Sequence, residues 1–415
     1  MPPRPNSFPR YLAPRLREAL ADSPAVLIHG PRQSGKSTLA RTVGDALGYH
    51  YYSFDDDALV RVANQDPIGF IADLAPRAIL DEVQRVPEIF TSLKATIDRK
   101  RTPGRFILTG SANVLLVPRL ADSLAGRMAI LRLHPLSQGE LAGQTPRFLE
   151  SLFRGRFRTR LTESLGSDLA DRIVAGGFPG ALVRRSAHRR ASWYRDYIET
   201  QIQRDVRDLA RIRSLETLPR LLALAASQTA RTINIADLAA PFELSRPTIH
   251  EHVTLLERVF LLDRLPAWHA SRLSRLVKRP KLHLGDTGVA ATLLEIDATS
   301  LRADRSLLGQ LLETFVFQEL RRQASFGTVP VGFFHYRDRD DFEVDLVLSQ
   351  GRSLAGVEVK AAKSVNESDF RGLRKLRAVA GVAFAAGVVL YDGSAVIPFD
   401  KDLFAVPIRL LWENP

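Results

Sequence analysis

Residues 30–37 read Gly-Pro-Arg-Gln-Ser-Gly-Lys-Ser, a complete G-x-x-x-x-G-K-[ST] element. The chemistry this spacing allows is the cradling of an anion with two or more phosphates. Gly30 and Gly35 admit backbone geometry closed to other residues. The span Gly30, Pro31, Arg32, Gln33, Ser34, Gly35, Lys36, Ser37 and Thr38 then wraps the phosphates, Lys36 reaches the β- and γ-phosphates, and the Ser37 hydroxyl can ligate Mg²⁺. A second group lies downstream, where the apolar Ala78-Ile79-Leu80 runs into Asp81-Glu82. Phosphoryl transfer needs positioning and charge neutralisation more than covalent chemistry. Asp81 is suited to hold the magnesium through its water shell, and Glu82 to act as general base or to orient water. An acidic pair at a strand end is by itself often a solvated turn; the phosphate loop upstream is what makes it chemical.

A third strand-like run, Arg105-Phe106-Ile107-Leu108, leads into Thr109-Gly110-Ser111-Ala112-Asn113. A polar side chain between the loop and the acids can sense the γ-phosphate, and Ser111 or Asn113 is the candidate, ahead of Thr109. Further on, Ser123-Leu124-Ala125-Gly126-Arg127 places an arginine after a small-residue turn. Arg127 can stabilise transition-state charge in its own site or in a neighbour's, or form a plain structural salt bridge. Action in a neighbour's site requires a ring or dimer, so a homo-oligomer stays open.

These groups need elements to hold them. Ala25-Val26-Leu27-Ile28 delivers the loop as a strand, and Ser37 to Val43 continues it as a helix with an apolar stripe. Further strands are expected at Tyr51 to Asp55, Ala78 to Leu80, Arg105 to Leu108 and Met128 to Leu133, with a helix from Glu88 to Arg99. Short buried strands alternating with helices predict a parallel, helix-covered sheet, giving an α/β domain over residues 1–140. Residues 141–228 show helical spacing broken by Gly176-Gly177-Phe178-Pro179-Gly180. In 229–280, Ile235 to Ala239 and a Ser245-capped helix bearing Ile249, Val253, Leu256 and Phe260 on one face precede an apolar strand, which resembles a winged helix-turn-helix. Residues 281–415 form a second α/β unit, with a helix from Leu307 to Arg322, strands at Gly332 to Tyr336, Glu343 to Leu348, Ala355 to Lys360 and Gly387 to Tyr391, and a helix between Asn366 and Ala380.

Composition narrows the class. A chain of 415 residues, 45% hydrophobic, has room for several cores. The formal net charge of +12 admits a polyanionic partner such as DNA or another nucleic acid, or simply solvated arginine faces. Cysteine is absent, so disulfides, thiolate zinc sites and cysteine nucleophiles are excluded. His250 and His252 lie two apart on a predicted helix and do not share a face, so no histidine metal site is expected. With no apolar leader and no span long enough for a bilayer, a cytoplasmic location without membrane association is expected.

The runs His29 to Thr38, Leu80 to Pro87, Leu108 to Ser111, Leu124 to Arg127 and His134-Pro135-Leu136-Ser137 resemble a prokaryotic AAA-type ATPase family with a C-terminal DUF4143 domain. The resemblance continues through Gly176-Gly177-Phe178-Pro179, Asp286-Thr287-Gly288 and Leu312 to Val316, almost the whole chain. It implies ATP and ADP binding, Mg²⁺ dependence and hydrolysis, and it supplies no biological substrate. Ile28-His29 ahead of the loop departs from the smaller or apolar residues common there.

In the last region Glu343-Val344-Asp345-Leu346-Val347-Leu348 is followed by Gly356-Val357-Glu358-Val359-Lys360. Strand alternation sets Glu358 and Lys360 on one face and Val357 and Val359 on the buried one, and a hairpin brings Asp345 beside them. This arrangement is similar to the PD-(D/E)XK nuclease fold. The resemblance implies that Asp345 and Glu358 ligate Mg²⁺, that Lys360 positions or activates water, and that an acid on a preceding helix, Glu313 with Glu319 in reserve, completes the site. Glu and Lys on a wet strand face are the competing reading. Three functions remain open on the sequence: an ATPase whose nucleotide state controls a nuclease-like domain on DNA, a signal-transducing ATPase whose later domains bind a partner without cleaving it, and a toxin or defence component, which the sequence does not separate from either.

Overall fold

The structure is a computed structural model and describes residues 8–111, 126–206, 216–242, 244–269 and 279–413. It divides into two compact units, one of Arg10–Leu136 with Arg258–Phe260 and one holding Ser137–Glu257 and Leu261–Pro415.

In the first unit, α1 (Ala13–Asp22), β1 (Ala25–His29), α2 (Lys36–Asp45), β2 (His50–Ser53), α3 (Asp57–Gln65), α4 (Pro67–Asp73), β3 (Ala78–Asp81), α5 (Ile89–Arg99), β4 (Phe106–Gly110) and β5 (Met128–Arg132) follow in order. The strands form a five-stranded sheet in the order β2-β3-β4-β1-β5, every pairing parallel. β1, β3 and β4 are buried along their whole lengths, as near-continuous apolar runs in a sheet covered on both faces must be. One core layer packs Leu27, Leu80 and Leu108 with Ile89, Phe90 and Leu93 of α5; the other packs Val26, Ile28, Ile79 and Ile107 with Leu39 and Val43 of α2. Strand alternation thus sends neighbouring residues of one strand into opposite layers. β4 lies between the strand that delivers the loop and the strand that delivers the acids, which puts the loop and Asp81 at the same end of the sheet.

The second unit begins with helices, among them Gln138–Ala142, Phe148–Arg154, Ser167–Ala175, Ala187–Thr200 and Thr217–Ser227. Ser137 opens them with a reciprocal capping box: its Oγ accepts from Glu140 N at 3.1 Å, and its N–H donates to Glu140 Oε2 at 3.0 Å. The short strand β6 (Arg231–Thr232), helices Ile235–Ala239 and Arg246–Arg258, and strands β7 (Leu262–Leu265) and β8 (Lys281–Leu284) follow, with the strands in the antiparallel order β6-β8-β7. Ser245 Oγ accepts from Thr248 N at 3.3 Å, and Ile249, Val253 and Leu256 are buried. Phe260 does not prolong that helical face. The helix stops at Arg258, Phe260 takes φ 62°, and Leu261 N donates to Leu256 O at 2.9 Å. This is a left-handed closure of the kind that usually employs glycine.

The end of the chain carries the long helix Arg305–Phe326 and strands β9 (Gly332–Arg337), β10 (Glu343–Gln350), β11 (Ser353–Lys360), β12 (Phe384–Tyr391), β13 (Ile397–Asp400) and β14 (Leu403–Pro407), with helix Arg371–Ala380 between β11 and β12. They form a six-stranded mixed sheet in the order β13-β14-β12-β11-β10-β9. β13 and β14 extend the sheet beyond the strands expected from the sequence. Among the described residues no helix is long and apolar enough to cross a membrane.

Candidate functional site

The loop between β1 and α2 turns on three left-handed backbone positions, Gly30 (φ 154°), Gln33 (φ 57°) and Gly35 (φ 95°). Gly30 is obligatory for a second reason: a Cβ there would lie 2.1 Å from Leu133 O. Lys36 is buried, and its Nζ donates to Pro31 O at 2.9 Å, which curls the ammonium back over the loop. Ser34 Oγ is buried without a hydrogen-bond partner in the concavity. From outside, the Arg10 guanidinium donates to Ser34 O and to His134 O, clasping the loop to the chain beyond β5.

At the end of β3 the Asp81 carboxylate gathers three hydroxyls. Ser37 Oγ donates at 2.8 Å to Oδ1, Tyr51 OH at 2.6 Å to Oδ2, and Thr109 Oγ1 also donates to Oδ1. A hydroxyl from the start of α2 and a buried carboxylate side by side form an oxygen donor set of the kind Mg²⁺ takes. Ser37 and Asp81 would hold the ion, which when bound neutralises phosphate charge. Burial and the bond to Asp81 push the Tyr51 phenol up to about 12, so it stays a donor.

Glu82 sits at φ 58°, an uncommon conformation for a residue with a Cβ, with its N–H bonded to Thr109 Oγ1 at 3.1 Å. Gln84 Nε2 donates both to Glu82 Oε2 and, at 2.9 Å, to Ser111 Oγ. Burial pushes the Glu82 carboxyl up, but the Lys36 charge, the bond from Gln84, the Arg32 charge and the Ser111 hydroxyl together hold it below the usual range. Glu82 is therefore an ionised carboxylate in a mostly dry site, as a base or water-orienting group must be.

The site thus brings together Lys36, Ser37, Asp81, Glu82 and Ser111, and it gives Thr109 a larger part than the sequence suggested. Asn113 lies outside the described residues. Arg127 is not brought to its own phosphate loop. β1 and β5 are parallel with Ala25 opposite Met128 and His29 opposite Arg132, so Arg127 stands at the far end of the sheet, about 20 Å of strand from the start of the loop. There it pairs with Asp98 at 2.6 and 3.0 Å. Tyr51, Gln84 and Arg10 were not expected. Only Gln84 had a local signal, two residues after the acidic pair.

His29, the unusual residue ahead of the loop, is buried against the Phe260 ring at 5.9 Å, and burial, then Arg132 and Lys36, lower its pKa from 6.5 to about 3. A histidine that stays neutral in the fold contributes fully above its unfolded value, and that contribution is lost as the pH falls from 6.5 toward 3. Melting curves of the full chain should therefore lose about 1.4 kcal/mol per pH unit from this residue below 6.5. His29→Asn should flatten that slope; an unchanged slope would remove His29 as its source.

The C-terminal carboxylates converge as well, around an unexpected residue. Lys281 of β8 is 2% exposed. Its Nζ lies 2.8 Å from Glu313 Oε1, 2.8 Å from Glu343 Oε1 and 3.2 Å from Asp345 Oδ1. Asp345 Oδ2 also accepts from Val359 N at 2.9 Å, and Lys360 Nζ lies 3.0 Å from Glu358 Oε1. Burial and then the Asp345 charge raise the Glu358 carboxyl. Val357 is buried as expected, but Val359 is only half-buried. Glu319 is spent elsewhere, accepting from Gln138 N at 2.9 Å and from Gln323 Nε2 at 3.0 Å. The donor set does not fit a divalent metal, because an ammonium already lies among its oxygens. No group of three or more His, Asp or Glu placed to hold a metal ion occurs among the described residues.

The parallel sheet, the glycine loop and the acid-ended β3 define a P-loop ATPase domain. Family models agree: an AAA domain matches residues 22–142, a domain of unknown function (DUF8612) residues 166–300, and a domain of unknown function (DUF4143) residues 308–411. The chain belongs to the AAA-type P-loop ATPase family with a C-terminal DUF4143 domain. It is 30% identical over 400 residues to Uncharacterized protein Rv2008c of Mycobacterium tuberculosis, covering 96% of this chain and 83% of that one. Uncharacterized protein Mb2031c of Mycobacterium bovis gives the same figures. Among solved structures the chain is similar to the Walker-type ATPase PABY2304 of Pyrococcus abyssi, at 17% identity over 70% of this chain and 97% of that one, with a TM-score of 0.45. It is also similar to the Thermotoga maritima RuvB Holliday junction branch migration motor, at 21% identity, 63% and 93% coverage and a TM-score of 0.31.

Proposed function

We propose that this chain binds ATP with Mg²⁺ at residues 30–38 and hydrolyses it to ADP, with Glu82 activating or orienting the water and Ser111 sensing the γ-phosphate. The observation that carries the reading is the meeting of Ser37 and Asp81 at 2.8 Å beside an ionised Glu82. Lys36 neutralises the β- and γ-phosphates once it leaves Pro31 O. The test is a titration of the folded chain with ATP and magnesium. Lys36→Ala should weaken binding about 10- to 100-fold, the worth of one buried charge-assisted contact, and equal affinity in parent and variant would remove Lys36 from the site.

The four-part division at 140, 228 and 280, the cytoplasmic location and the winged-helix reading of 229–280 belong to the same proposal. The winged-helix reading is supported by the Ser245-capped helix and the antiparallel β6-β8-β7 sheet. DNA association rests on the net charge of +12. For residues 281–415, whose carboxylates resemble a nuclease site, the position of Lys281 favours the second function: a regulatory ATPase whose later domains bind a protein or nucleic-acid partner without cutting it. Any further role for Arg127 lies in a neighbouring copy. Incubation with Mg²⁺ or Mn²⁺ and single- or double-stranded DNA or RNA should give no cleavage; cleavage lost in Asp345→Ala would restore nucleotide-controlled nuclease action.

A further inference from the structure

The second function leaves the carboxylate cluster without a task, and its geometry supplies one. An ammonium has three N–H donors and no acceptor. Glu313, Glu343 and Asp345 offer three carboxylates at 2.8, 2.8 and 3.2 Å from Lys281 Nζ. They come from the helix Arg305–Phe326 and from β10, whereas Lys281 comes from β8 of the smaller sheet. Two of these contacts are hydrogen bonds, to Glu313 Oε1 and Asp345 Oδ1, and Glu343 adds an ion pair. A magnesium ion needs oxygens at about 2.0–2.1 Å in a near-octahedral shell, and an ion placed among these three carboxylates would have to take the position that Lys281 Nζ fills.

We propose that the Lys281 ammonium is the resident cation of this cluster: it stands where a divalent metal would bind, closes the site to that metal, and pins β8 to the helix Arg305–Phe326 and to β10. The site is a latent metal site whose opening requires Lys281 to withdraw. This rests on the non-cleaving reading of the C-terminal domain and is independent of ATP hydrolysis.

Mn²⁺ alone, without nucleotide, is the probe, followed by the electron paramagnetic resonance signal of the free ion. The full chain carries Asp81→Asn, so that the ATPase site does not report. The parent in this background should take up no Mn²⁺ that depends on Asp345. Lys281→Met should acquire one ion, at least tenfold tighter than any uptake by the parent, and Asp345→Asn added to Lys281→Met should abolish it. Uptake by the parent that Asp345→Asn removes would overturn the proposal, as would a folded Lys281→Met chain that gains no ion. If Lys281→Met does not fold, the parent and its Asp345→Asn variant decide alone: Asp345-dependent uptake overturns the proposal, and its absence upholds it. A failure here leaves the ATPase reading standing, because no nucleotide enters the measurement.

Discussion

Glu82→Gln should lower the ATP turnover number at least 100-fold while leaving ATP affinity within about threefold of the parent. General-base or water-positioning contributions are worth about 10²–10⁴ in rate, and an amide of the same shape removes the proton acceptor without opening a cavity. The geometry gives a further reason to expect a clean separation. Glu82 is held through its backbone N–H by Thr109 and through its side chain by Gln84, neither of which contacts the loop backbone in the hydrogen bonds described above. The substitution therefore leaves Lys36, Ser37 and Asp81 in place, and binding survives. Single-turnover hydrolysis alongside equilibrium ATP titration makes the distinction. Turnover within a few-fold of the parent would take Glu82 out of the chemistry and pass the role to another group. Gln84→Ala is the natural companion: it releases the Glu82 side chain and Ser111 together, so it should reduce turnover less than Glu82→Gln and again spare binding.

The parts of this site that were legible in the sequence are those whose chemistry is contiguous. The phosphate loop is one run of residues with a strand before it and a helix after it, and Asp81-Glu82 directly ends an apolar strand, so neither needed tertiary information. Tyr51 and Thr109 converge on Asp81 from strands on either side of β3, and that convergence exists only once the order β2-β3-β4 is known. For the same reason Arg127 stayed open between transition-state stabilisation and a structural salt bridge. A glycine turn before an arginine says nothing about which end of a parallel strand it occupies, and β5 starts at the end opposite the loop. Lys281 was still less visible. Its partners Glu313, Glu343 and Asp345 lie 32, 62 and 64 residues away in sequence, and a lysine at the start of a strand has no local mark of burial. The β13–β14 pair escaped because β13, Ile397-Pro398-Phe399-Asp400, includes a proline and an acid and is largely exposed, as an edge strand tolerates.

On the sequence, Gly176-Gly177-Phe178-Pro179 is a break in helical spacing and, like Asp286-Thr287-Gly288, a mark of family resemblance; the structure gives the two motifs a shared physical cause. Asp286 is 1% exposed. Its carboxylate accepts from Gly177 N at 2.8 Å, Gly288 N at 2.9 Å, Tyr194 OH at 3.1 Å and Arg322 Nη2 at 2.9 Å. Gly176 and Gly288 are glycines because a Cβ at either would come within 2.4 Å of Tyr194. One carboxylate thus ties the turn after helix Ser167–Ala175, the helix Ala187–Thr200 and the helix Arg305–Phe326 to the start of helix Thr287–Leu293.

Asp286→Ala should therefore cost the second unit about 3–5 kcal/mol, the usual consequence of removing one member of a buried ion pair, here the pair with Arg322. Against a typical domain stability of about 5–15 kcal/mol this is a large share, and it corresponds to a fall of roughly 10 °C in the melting temperature. Asp286→Asn keeps an acceptor for the backbone amides but loses the charge opposite Arg322, so it should fall between the parent and Asp286→Ala. Asp98→Ala breaks the solvent-screened pair with Arg127 and should shift the melting temperature little. Differential scanning calorimetry of the three variants makes the comparison. If Asp286→Ala melts within a degree or two of Asp98→Ala, the carboxylate is not the anchor that these four elements share, and the two glycine motifs need another explanation.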